Sequence, residues 1–154
     1  MSKAAIIIWS YLSEIFLASF ALGLLLFFYD AIQIASFLKP IAVDIATYFF
    51  SVMFAASVAF LWTFYSKSDT PFSKWLYEKG AFKVYLSAYI VAVSIYAVLL
   101  LLLLITSKVD STLLSVFTFW MLLLGVINVY TFIKNVVAQL LLNMEFNRRH
   151  EEKL

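Results

Sequence analysis

Four stretches of this chain stay apolar for long enough to cross a bilayer, which closes off most folds open to 154 residues. A spanning helix needs about 20 apolar residues, because each adds about 1.5 Å and the hydrocarbon layer is about 30 Å thick. The candidate spans cover about 13–29, 41–65, 82–106 and 112–133. Hydrophobic residues are 65% of the chain, charged residues are 13%, and mean hydropathy is +0.99. That leaves too little polar surface to cover a water-soluble core. Inside a bilayer every backbone polar group must be paired within the structure, which favours helices. The expected fold is all-α: one integral membrane domain of four transmembrane helices over 1–144, then a charged tail over 145–154.

The connections refine this reading. Pro40, just before the second span, suits a first helical position, where its missing N–H costs nothing. Only SKSDTPFSKWLYEKG, residues 66–80, is a connection of real length. There Thr70 or Asp69 can cap, Pro71 can open and Gly80 can close a short amphipathic helix lying among the headgroups. Lys3, Lys67, Lys74, Lys79, Lys83, Lys134, Arg148, Arg149 and Lys153 flank one side of the spans, against Lys39 and Lys108 on the other. The positive-inside rule then predicts a plasma (inner) membrane protein with both termini cytoplasmic. No cleavable leader is expected, since no small-residue cleavage site follows a basic start and a short apolar core.

Polar residues inside apolar runs are the candidate functional groups. On a helix, Asn128, Thr131, Asn135, Gln139 and Asn143 fall within an arc of about 120°, while Lys134 lies off it and can snorkel to the headgroups. The stripe admits two roles. Its amides can hydrogen-bond to neighbouring helices, or they can line an aqueous path at the centre of a homo-oligomer. Glu14 is the only acid well inside the first apolar stretch, which makes it a candidate proton or cation site. With Trp9 and Tyr11 as interface aromatics, it would instead be a carboxylate at the membrane surface. Asp30 and Asp44 fall on the outer side, either as a solvated rim or as an acidic vestibule that concentrates cations.

Small residues recur at a spacing of four in the second span, at Thr47, Ser51, Ala55, Ala59 and Thr63, and in the first at Ser19 and Gly23. Helix packing is their expected use. Tyr85, Tyr89 and Tyr96 share one side of the third span, where buried hydroxyls need partners from the fourth or second. Lys74, Lys79, Lys83, Arg148 and Arg149 form a basic cytoplasmic surface suited to anionic lipid, a cytoplasmic regulator or another anionic ligand. Nucleic acid is not the expected partner.

Several chemistries drop out. The chain has no cysteine, and its single histidine, His150, sits in the tail, which excludes thiolate metal sites and intramembrane histidine relays. No potassium-type filter, zinc-protease helix, phosphate loop or nucleophile elbow is present, so no enzyme, cofactor or metal is expected.

A glutamate early in the first of four helices is similar to the small multidrug-resistance transporters. The apolar, glycine-poor third span and the long basic tail depart from them. A second similarity rests on ATYFFSVMFAASVAFLWTFYSK followed by WLYEKGAFKVYLSAYIVAVSIY. A small-residue-rich second span, a basic aromatic linker and a Ser/Tyr/Val-rich third span resemble the RexB-type phage-exclusion membrane proteins. The resemblance covers about the middle 60 residues and lies in composition and order, without an invariant motif; the first helix has no clear counterpart. It implies a depolarising membrane effector of bacterial antiphage defence. The leading expectation is a homo-oligomeric ion channel lined by the fourth helix, with the basic surfaces receiving the gating signal. A non-conducting subunit and a proton-coupled transporter centred on Glu14 stand beside it.

Overall fold

The computed structural model describes residues 3–151, with side chains described for Trp9 and for residues 11–149. Its helices are α1 (Lys3–Phe28), α2 (Ala31–Asp44), α3 (Ser51–Ser66), α4 (Pro71–Glu78), α5 (Phe82–Thr106) and α6 (Thr112–Glu151). A π-helical turn, Ile45–Phe50, joins α2 to α3, so 31–66 is one unbroken helical run. Four helical runs are long and apolar enough to cross a membrane. Lys153 and the last part of the charged tail lie outside the described residues.

The expected helix start at Pro40 is corrected. Pro40 sits inside α2, which begins at Ala31, with Asp30 at the N-cap and the Asp30 N–H donating to Gln33 Oε1 at 3.0 Å. An internal proline removes one backbone donor and crowds the carbonyl four residues back. Five residues on, the ladder widens to a π turn, closed by the Ser51 N–H on the Ala46 carbonyl. Leu38, Ala42, Ala46 and Phe50 are all buried at a spacing of four, and the widened turn holds the last of them to that face. An ordinary helix would carry such a row off the face by about 40° per step.

The small-residue rows face outward. Thr47, Ala55, Ala59 and Thr63 are exposed and Ser51 is only partly covered; Ser19 is exposed, and a Cβ at Gly23 would meet nothing within 4 Å. Packing inside the chain uses other faces: Phe50, Ser57 and Phe64 on the α2–α3 run, Glu14 and Ala18 on α1. The small rows therefore do not pack these helices together.

The core lies between α3, α5 and α6. Phe60, Tyr89 and Phe132 meet edge to face, with ring centroids 5.1 to 6.1 Å apart. Gly125 lets α6 pass close to Leu99 and Phe50. α4 lies where residues 66–80 predicted a helix. Thr70 caps it, accepting from Ser73 N, and Pro71 opens it. Gly80, at φ 68°, ends it while the Ala81 N–H reaches back to the Leu76 carbonyl at 2.9 Å. Phe72 and Trp75 of α4 stack near Phe146, at 5.7 and 5.6 Å, placing α4 against the far end of α6. At the opposite end Lys39 forms an ion pair with Asp110.

Candidate functional site

α1 rests chiefly on α6 and turns most of its surface outward. The seam holds three polar contacts across it. Trp120 Nε1 donates to Ser19 Oγ at 3.1 Å, Asn128 Nδ2 donates to Glu14 Oε2 at 3.0 Å, and Thr131 Oγ1 donates to Glu14 Oε1 at 2.7 Å. Glu14 is 5% exposed and Asn128 4%. The lone acid and the head of the amide stripe therefore form one site, not two. Glu14 is buried against α6, whatever its depth relative to Trp9 and Tyr11.

The stripe as a whole faces its own chain. Gln139 Oε1 accepts from Tyr89 OH at 2.6 Å, and Asn135 lines a cavity together with Glu14. Asn143 lines a second cavity beside α3 and α4. Asn128 and Thr131 are turned by their hydrogen bonds toward α1, and Gln139 toward α5. Of the three tyrosines, Tyr89 finds its amide, Tyr85 stacks on Tyr89 at 6.3 Å, and Tyr96 OH is buried without a partner.

The Glu14 cavity measures about 260 Å³. Its floor is Asn128, Thr131 and Asn135, its sides are Glu14 and Tyr11 of α1 and Ala88 and Ala92 of α5, and Lys134 stands at its edge. The two alanines leave the room that larger residues would fill. A carboxylate only accepts hydrogen bonds, so Asn128 must present its NH₂ to Glu14, which leaves Oδ1 buried and unpaired. One acid and one base line the cavity, so their formal charges cancel in apolar surroundings where a net charge is costly. A carboxylate with spare lone pairs, an unpaired amide oxygen and a hydroxyl make an oxygen-rich set suited to a hard monovalent cation or a proton. Among the described residues no group of three or more His, Cys, Asp or Glu could hold a metal ion.

The basic residues gather at the α4 end. Lys74, Lys79 and Lys83 are exposed, Lys83 Nζ lying 6.0 Å from the centre of the Tyr77 ring. Arg148 and Arg149 both bind Glu145, at 2.9 and 2.8 Å, so that part of the surface is partly neutralised. At the other end Asp30, Asp44 and Asp110 are exposed. Sequence reading missed Trp120, the buried Thr106–Thr118 hydroxyl pair at 2.7 Å, and the alanines that open the cavity. Ala88 and Ala92, one turn apart, were a readable signal; the threonines needed the fold.

The fold and site define an all-helical protein with four helices fit to cross a membrane and a buried acid–amide cluster between two of them. No family model, curated protein or solved structure matches the chain.

Proposed function

We propose that this protein moves a monovalent cation, the proton included, across the plasma membrane, with Glu14 as the binding station. The observation that carries the reading is the buried Glu14, with both oxygens held by α6 beside a cavity of about 260 Å³. Empty, the carboxylate accepts from Asn128 and Thr131. Loaded with a cation, or with a proton that the carboxyl donates onward, it attracts the Asn128 Oδ1, and the amide turns about its side-chain axis. The same residue thus serves both states, and little else must move. Transport runs along the cleft between α1 and α5 of one chain, and copies of the chain associate through their outward faces. The lysine and arginine count supports cytoplasmic termini. The RexB-type resemblance supports cation flow that depolarises the membrane as part of antiphage defence.

In proteoliposomes the wild-type chain is expected to dissipate a proton or potassium gradient. Glu14→Gln should lower that flux by about tenfold or more, since it removes the sole anionic ligand, and ~1.4 kcal/mol of lost binding is already tenfold. Asn135→Leu should lower it less. A second reading is favoured by Tyr89–Gln139, Thr106–Thr118 and Trp120–Ser19, which all join helix to helix. On it the chain is a non-conducting subunit and its polar groups are structural. Absence of flux under any gradient, with Glu14→Gln reducing only stability, selects that reading.

A further inference from the structure

A second cavity, about 590 Å³, opens where α3, α4 and the far half of α6 meet, and it shares no lining residue with the Glu14 cavity. Gln139, Asn143 and Asn147, one turn apart on α6, line it along with Lys67. Gln139 Oε1 is already taken by the Tyr89 hydroxyl, so its NH₂ remains as the group to offer a ligand. The Lys67 carbonyl accepts from Thr70 N at 3.2 Å, Thr70 Oγ1 at 2.9 Å and Ser73 Oγ at 2.7 Å, which pins the backbone that carries the ammonium. Among the described residues no carboxylate lines the cavity and none forms an ion pair with Lys67. The rest of the wall includes Phe60, Phe64 and Leu140.

A cation, three amides and an apolar wall side by side match an anion that carries a tail. The cavity also lies where the apolar α3 gives way to the charged connection, the level of lipid headgroups. We infer that it binds one anionic phospholipid, its phosphate on Lys67, Asn143 and Asn147 and the start of an acyl chain along Phe60, Phe64 and Leu140. The volume falls within the usual range of small-molecule pockets. This site stands apart from the Glu14 reading and survives its failure.

The test is native mass spectrometry of the detergent-purified full chain with added phosphatidylglycerol, phosphatidylcholine or glycerol phosphate. Phosphatidylglycerol is expected to be retained in preference to phosphatidylcholine, and glycerol phosphate should not displace it. Lys67→Gln should weaken retention about fivefold or more, the worth of one lysine charge at a membrane surface. Lys67→Arg should restore most of it, which separates charge from misfolding. Lys83→Gln, on the basic surface outside the cavity, should weaken retention clearly less than Lys67→Gln. Equal losses in Lys67→Gln and Lys83→Gln would overturn the inference in favour of a diffuse basic surface. Displacement by glycerol phosphate would overturn it in favour of a soluble phosphate ligand.

Discussion

At the scale of single residues, some buried hydroxyls are satisfied in pairs, while Tyr96 OH and Asn128 Oδ1 are left unpaired, and the pairs make sharp tests. Thr106 and Thr118 are both fully buried, and their hydroxyls bond to each other across the α5–α6 seam. Thr106→Val should cost about 0.5–1.5 kcal/mol in unfolding from mixed micelles, because it strands the partner hydroxyl. The double variant Thr106→Val/Thr118→Val should recover most of that loss, since no polar group is then left unpaired. A double variant less stable than the sum of the two singles would show that the pair is not a unit. Glu14 teaches a related lesson about legibility. Its cost in an apolar stretch is visible in the sequence, and so is the amide arc of the last span. Their meeting is not, because 114 residues separate Glu14 from Asn128 and nothing local encodes the pairing.

At the scale of elements, helix type and span were readable from apolar run length, while faces and boundaries were less so. A proline after a lysine reads as a helix start, yet Pro40 is carried inside α2 and followed by a wide turn. Tertiary packing of Leu38, Ala42, Ala46 and Phe50 decides the matter over local preference. Small residues four apart read as a packing face, but this row lies on the outward side of the α2–α3 run. The face that α6 does use for close approach is marked by Gly125. A Cβ there would stand 2.6 Å from Leu99 Cδ2 and 3.0 Å from Phe50 Cε1. Gly125→Leu should therefore destabilise the fold by about 1–3 kcal/mol through overpacking, despite leucine's better helix propensity. An unfolding midpoint equal to or above that of the parent protein would count against this close contact. Gly23→Leu, facing open space, should be close to neutral.

At the scale of the whole molecule, topology is directly measurable, because the chain has no cysteine and any thiol introduced is the only one. Ser68→Cys, in the connection before α4, should resist an impermeant thiol reagent added outside intact cells, while Ser107→Cys, between α5 and α6, should react. The reverse pattern would turn the molecule over and place the Lys67 cavity on the outer leaflet. Four spans could be counted without a structure, but the order of contact among them could not, and that order has a consequence for how the protein is made. α1 enters the membrane carrying Glu14, while α6, which holds it, is synthesised only after α2 to α5. At ribosomal rates of about 5–20 residues per second, the separation of 114 residues from Glu14 to Asn128 leaves that acid without its partners for roughly 6–23 s. During that interval α1 is a tethered segment awaiting its mate, open to capture by a chaperone, a protease or the α6 of another copy.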